Sequence, residues 1–314
     1  MSTLAAKIEG IGLLGPGLDG WTDSVAVLEG RSQYIPKPTV VAVPDGLPPA
    51  ERRRLGQVVK LALGVGLQAT SSAGVEPDAL PAVFASSGGD GQNCHEICQA
   101  LSLDDRMISP TRFHNSVHNA AAGYWSIATR SKAASNVLCA FDVSFAAGLL
   151  EAVTQVVVDQ TRVLLVAYDA QYPPPLFIKR SIPEAFGVAF VLAPVVARSR
   201  AAAQVAAPPR AGGPRAASGA ATELGEAAAS AAARGSAGDQ SPQPSSGSLG
   251  RLTVRLADAS ADRMSNADLE ALRASVPAAR SLPLLRQLAA REPGVVNIEY
   301  LDGRSLAVEV DPCA

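Results

Sequence analysis

Aromatic residues are scarce in this chain, only 4% of it, and histidines are scarcer still, three among 314 residues. All three (His95, His114 and His118) precede residue 119, which excludes any site that takes a histidine from the carboxy-terminal half. Four cysteines, Cys94, Cys98, Cys139 and Cys313, are too few and too scattered for a disulfide scaffold. The formal net charge is −2, so no polyanionic partner such as nucleic acid is expected. No apolar run approaches the ~18–20 residues of a membrane-spanning helix. Near the amino terminus, Lys7 and Glu9 interrupt the stretch that a signal peptide would keep apolar. A soluble cytoplasmic protein is expected.

What is present is an apolar fraction of 47%, inflated by alanine but enough for a substantial core. "AKIEGIGLLGP" reads as a strand and "GWTDSVAVLEG" as a short helix with Thr22 or Asp23 available as cap. From Pro48 onward one helix is expected, with Leu55, Val58, Val59, Ala62 and Leu63 on its apolar face. "PAVFASS", "SNVLCAF", "RVLLVAYDA" and "FGVAFVLAP" read as buried strands, alternating with helices through "QNCHEICQAL" and "SFAAGLLEAVTQVVVDQ". This alternation argues an α/β layer with a largely parallel sheet. Residues 197–250 are rich in alanine, proline, glycine and serine and hold no aromatic residue. A segment with so little to bury cannot offset its ordering entropy, and a disordered insertion is expected. The pattern resumes over 251–314 as a strand, two helices and a hairpin about Asp302-Gly303, completing the same domain as residues 1–196.

Three groups invite chemistry. Cys94 and Cys98 stand one helical turn apart with His95 between them, but His95 points about 100° away and no fourth ligand follows. Buried thiols are the expectation there. His114 and His118 are four residues apart in "TRFHNSVHNAAAGYWSIATR" and lack a nearby acid or third ligand, so no metal is expected. "SSGGDG" lacks the lysine of a phosphate-binding loop and the spacing of a dinucleotide fold.

The series "ASSGG", "SP…N…AAAG…SI", a strand, a tight turn and "GLLEA" resembles the amino-terminal half of a β-ketoacyl synthase across residues 4–194. "PTRFHNSVHNAAAGYWSIAT", "SFAAGLLEA" and "AARSLPLL" are more closely similar to the chain-length factors that accompany a full ketosynthase in aryl-polyene-type clusters. The resemblance implies a thiolase-like half-fold, α/β with a mixed sheet and flanking helices, and no cofactor. An active member carries the acyl chain on a cysteine at a sharp strand-to-helix turn and draws two histidines from its carboxy-terminal half. Counting without gaps from Ala122-Gly123 places that nucleophile position at Asp142, a very poor thioester former. Cys139 lies three residues earlier within an apolar strand, as an inert core thiol. Ser144 is exposed enough to tempt a hydrolase reading, but "FDVSFAAG" is not G-x-S-x-G.

The resemblance therefore implies a non-catalytic subunit paired with a full-length ketosynthase, which performs the condensation with an acyl carrier protein. Gly89, Asp90, Arg112, Phe113, His114, His118, Asn119, Tyr124 and Trp125 are the expected acyl-tunnel and interface residues, with Phe113 closing the tunnel. A half-fold standing alone is expected to expose the face that normally packs on the other half, and so to need a partner. The alternative is a weak carrier-protein-dependent decarboxylase or acyltransferase using Asp142 or Ser144.

Overall fold

The structure is a computed structural model and describes residues 4–44, 46–195 and 247–312. Its first strand, β1 (Leu4–Gly15), turns back through β2 (Leu18–Asp19) into α1 (Trp21–Leu28). Neither Thr22 nor Asp23 caps α1, because the helix starts a residue earlier, at an N-cap Gly20 with φ 97°. The helix expected from Pro48 is two helices, α2 (Pro49–Arg54) and α3 (Gln57–Ala73). Between them Leu55 and Gly56 are extended; Leu55 is buried, and a Cβ on residue 56 would lie 2.4 Å from Asp90 Oδ2.

Next come β3 (Ala82–Ala85), α4 (Gly91–Ser102), α5 (Pro110–His114), α6 (Ala120–Thr129) and β4 (Ser135–Leu138). They lead into α7 (Ser144–Asp159), β5 (Val163–Asp169), the single-turn α8 (Leu176–Lys179) and β6 (Phe186–Pro194). The insertion expected over 197–250 lies outside the described residues except for 247–250. After it stand β7 (Gly250–Ala257), α9 (Ala267–Ser275), α10 (Leu282–Ala290) and the hairpin of β8 (Gly294–Leu301) and β9 (Arg304–Asp311). Asn266 caps α9 by accepting the Asp268 and Leu269 amides.

One sheet joins these strands in the order β4-β3-β5-β6-β1-β7-β9-β8, with β2 paired to β1. It is mixed, as the resemblance implies, rather than largely parallel, as the strand-helix alternation alone suggests: β3 runs parallel to β4 and β5, and the other pairings are antiparallel. The physical reason is connection length. β5 returns to β6 through a loop holding only the single-turn α8, whereas a parallel neighbour needs a full crossover helix. β4 is not buried as expected; it is an outer strand, and Ser135 and Asn136 are exposed.

Both faces of the sheet are covered, so β6 is apolar throughout and β5 is apolar up to Asp169 at its end. On one face α3 and α6 pack Leu61, Leu63, Val65 and Trp125 against Phe84 and Tyr168. The helix crosses β1 closely: a Cβ at Gly12 would lie 2.0 Å from the Val65 carbonyl oxygen. On the other face α7, α10 and a 3-10 turn at Pro277–Ser281 bring Phe145, Leu149, Val153 and Leu285 to Phe190. The stretch Phe141–Asp159 is long and apolar enough to cross a membrane by length and composition, contrary to the reading that no run approaches that length. In the fold it lies against β1, β3, β5 and β6, with Phe145, Leu149, Val153 and Val156 buried.

The face expected to stand open is closed by the chain itself, since the 277–281 turn and β8 both contact α7. Exposed large apolar side chains sit elsewhere: Phe113, Val117 and Ile127 around α5 and α6, and Phe141, Phe177 and Ile178 near the start of α7 and on α8.

Candidate functional site

The strand-to-helix turn between β4 and α7 holds Asp142, expected from sequence as the counterpart of the nucleophile position. After Leu138 the backbone passes Cys139 and Ala140, takes a left-handed conformation at Phe141 (φ 52°) and enters α7 through a 3-10 turn. Positive φ at a bulky residue carries strain and is retained only where the surroundings enforce it. Here Ser144 enforces it. Its Oγ accepts the Ala140 amide at 3.0 Å and donates to the Phe141 carbonyl at 2.8 Å, which closes the turn. Ser144 is therefore buried, not exposed as its sequence context suggests, and its hydroxyl is engaged on both sides. Cys139 departs from expectation in the opposite sense: it is exposed, because β4 is an outer strand, and its thiol donates to the Ser87 carbonyl at 3.0 Å.

Asp142 follows the left-handed residue rather than occupying it. Its Oδ1 accepts from Arg180 Nη2 at 2.7 Å, and its Oδ2 pairs with Arg280 Nη2 at 3.3 Å. Arg280, nine-tenths buried, also reaches Glu299 on β8 at 2.5 Å. The Arg180 guanidinium stacks over the exposed Phe141 ring, 3.6 Å from its centroid. A continuous chain of charges thus ties the turn to the carboxy-terminal segment.

A second tie lies beneath it. Asp169 ends β5, is fully buried, and accepts the Ser87 amide (2.9 Å) and Ser87 hydroxyl (2.6 Å) on Oδ1 and the Ala278 amide (2.9 Å) on Oδ2. Burial pushes its carboxyl up to about 6, against the opposing pull of those hydrogen bonds and of Arg180. Sequence reading passed over Asp169, Arg180 and Arg280. The available signal was a single acid ending the otherwise apolar "RVLLVAY" run.

The "SSGGDG" loop has no free cradle of amides. Ser87 N is spent on Asp169, Gly89 N (φ 66°) donates to Ser86 Oγ, and Asp90 caps α4 by accepting the Asn93 amide at 2.9 Å. Burial raises the Asp90 carboxyl above its ordinary value, while amide hydrogen bonds and Arg112 oppose the rise. Arg112 forms an ion pair with Glu96 of α4.

The expected tunnel residues divide. Tyr124 and Trp125 are core: the Tyr124 hydroxyl donates to Asn115 Oδ1 at 3.1 Å, and Trp125 stands edge-on to Phe84 at 6.3 Å. Phe113 is 68% exposed and lines an apolar groove of about 500 Å³ with Pro110, Val117, Asn119, Tyr124 and Ile127. His114 ends the short α5 and meets the Tyr124 ring edge-on, whereas His118 lies beyond a turn, beside Gly89. The two imidazoles therefore do not share a helical face. Among the described residues no group of three or more His, Cys, Asp and Glu side chains is placed to hold a metal ion.

The family model described as beta-ketoacyl synthase, N-terminal domain, matches residues 29–240, more than half of the chain. No curated protein sequence matches. Among solved structures, one similar chain comes from the ketosynthase ApeO in complex with its chain length factor ApeC from Xenorhabdus doucetiae. It is 19% identical with a TM-score of 0.60, covering 98% of this chain and 100% of that one. The ishigamide ketosynthase/chain length factor is similar at 13% identity and TM-score 0.63, each chain covered in full. A third is AntDE:AntF, a type II polyketide synthase acyl-carrier protein with its ketosynthase bound to the hexaketide, at 10% identity and TM-score 0.64, with 99% and 100% covered. At such identities the likeness is one of fold, and that fold is the thiolase-like fold of ketosynthases.

Proposed function

Because the chain belongs to the family of β-ketoacyl synthase N-terminal domains, we propose that it is the chain-length-factor subunit of a heterodimeric β-ketoacyl synthase. Its partner is a full-length ketosynthase, which condenses acyl chains carried by an acyl carrier protein in aryl-polyene, polyketide or related fatty acid biosynthesis in the cytoplasm. The neighbours named as ketosynthases with chain length factors support this assignment.

The observation that carries it is the turn before α7. A thioester-forming group needs a lone pair free for attack, on an atom that ionises readily at a helix amino terminus. Phe141 offers only hydrocarbon, both Asp142 oxygens are held by arginines, and the Ser144 hydroxyl closes the turn. Releasing Asp142 for chemistry would strip Arg280, a buried cation, of one of its two partners. Nothing at this turn favours the decarboxylase or acyltransferase alternative.

The subunit's contribution is then shape. The Phe113 groove supplies an apolar wall to the partner, and the Phe113 ring limits the acyl chain across the interface. Co-expression with a full-length ketosynthase from the same organism, followed by size-exclusion chromatography with mass detection, tests the proposal. A one-to-one complex is expected; a well-behaved monomer that ignores the ketosynthase overturns it.

A further inference from the structure

α4 carries two thiols for which the proposed function has no use. Cys94 and Cys98 are free and exposed, in contrast to the buried thiols expected from sequence. Only Gly91 and Asn93 of this helix are buried. Four residues of α-helix bring two side chains to within about 40° of one another around the axis, so both thiols leave α4 on the same side. Burial, and after it the neighbouring Cys98 thiol, hold the Cys94 thiol above its ordinary value.

Distance decides what such a pair can do. Side chains at this spacing have Cβ atoms ~5–6 Å apart. A disulfide needs about 3.5–4.5 Å, so a direct S–S bond requires α4 to unwind. Two metal–thiolate bonds of about 2.3 Å each, set in line, span roughly 4.6 Å between sulfurs, which both side chains reach from an intact helix. Tetrahedral zinc wants four ligands and none is at hand: Glu96 is engaged by Arg112, and His95 leaves the helix about 100° from Cys94. Thiolates prefer soft ions, and the soft monovalent d10 cations are satisfied by two of them.

We propose that Cys94 and Cys98 form a two-coordinate site for a soft monovalent d10 cation, copper(I) in a cell and silver(I) as its redox-inert analogue. Each thiol gives up its proton as its sulfur bonds the metal, so M⁺ and two thiols yield a dithiolate complex of charge −1 and two protons, with no oxidation. Affinity therefore rises with pH. The ion clips two turns of the helix whose Asn93 side chain donates to the Arg112 carbonyl and whose Glu96 pairs with Arg112, next to Phe113.

The test is an anaerobic silver(I) titration of the full chain against a competing thiol, with proton release recorded in weak buffer. A Cys139→Ser/Cys313→Ser double variant is expected to bind one ion per chain tightly and to release two protons. Cys94→Ser or Cys98→Ser on that background is expected to weaken binding roughly a hundredfold or more, the chelate advantage of two linked ligands. Far-UV circular dichroism checks that α4 persists. Binding unchanged in either serine variant, or two ions held independently by the two thiols, overturns the proposal.

Discussion

Asp169 makes the stability of this protein depend on pH in a direction opposite to that of a paired surface acid. Its carboxyl moves from an ordinary 3.8 to about 6 because burial penalises the charged form. Between those values the folded chain binds the proton more tightly than the unfolded chain does. The stability contributed by this group is thus fully present below about 3.8 and lost as pH rises through about 6. The rise corresponds, at 1.36 kcal/mol per pH unit, to roughly 3 kcal/mol. Asp169→Asn removes the charge at every pH while keeping the shape. Urea denaturation of both proteins, followed by the fluorescence of Trp21 and Trp125, gives the two stabilities across pH 4 to 7. Subtracting one profile from the other cancels groups such as Glu270, held down at about 2 by Arg273, whose own contribution runs the other way. Wild-type stability is expected to fall by about 2.4 kcal/mol relative to the variant between pH 4 and pH 7, the rest of the change lying below pH 4. A difference that stays flat, or grows in favour of the wild type with rising pH, refutes burial as the dominant influence on Asp169.

Other expectations follow from single contacts. Phe113→Ala removes the most exposed ring of the groove; the heterodimer should release longer acyl products, read by mass spectrometry of the carrier protein, and dissociate about tenfold more readily. Unchanged product length together with unchanged affinity would remove Phe113 from the tunnel and the interface alike. Asp142→Ala should lower the melting temperature, because Arg280 loses a partner, yet leave product formation per intact complex unaltered; its complete loss would restore a chemical role to Asp142. Replacing residues 198–245 by a short glycine-serine linker should preserve the fold. Leu192 and Gly250 both face Ile8 from opposite sides, two strand spacings or about 10 Å apart. Aggregation of that deletion variant would show that the segment supports the domain.

Much of this architecture is legible from residue patterns because the patterns are physically dictated. β6, and β5 as far as Tyr168, are apolar runs of the kind a strand buried on both faces carries, and the Asp302-Gly303 turn fixes its hairpin. Sheet direction was not legible, since local periodicity says nothing about whether β5 returns to β6 by a crossover. The break at Leu55-Gly56 had only the weak helix propensity of Gly56 to announce it; that a Cβ there would collide with Asp90, 34 residues further on (90 − 56), has no local signal. At the turn, the residue types could be read directly, but which of them takes the left-handed conformation could not. Counting without gaps leads to Asp142, and no local pattern marks Phe141, one residue before it, as the left-handed residue. Arg180 and Arg280 lie 38 and 138 residues beyond Asp142 (180 − 142 and 280 − 142), and no sequence spacing announces that two such distant cations meet one carboxylate.

The place of β1 bears on how the chain matures. One edge of β1 pairs with β6, but the other waits for β7, and the contact of Leu4 with Val254 spans 250 residues (254 − 4). During synthesis, Leu4, Ala6 and Ile8 therefore emerge long before the strand that seals their free side has been made. The ribosome must add 109 residues after Asp169 before Ala278 can reach it (278 − 169), and 138 after Asp142 before Arg280 can (280 − 142). Contacts of such sequence separation form slowly and leave a sticky edge open while they form. Nascent chains of this protein should accordingly depend on chaperones that shield strand edges, and products of premature termination upstream of β7 should be cleared rather than accumulate as partly useful subunits.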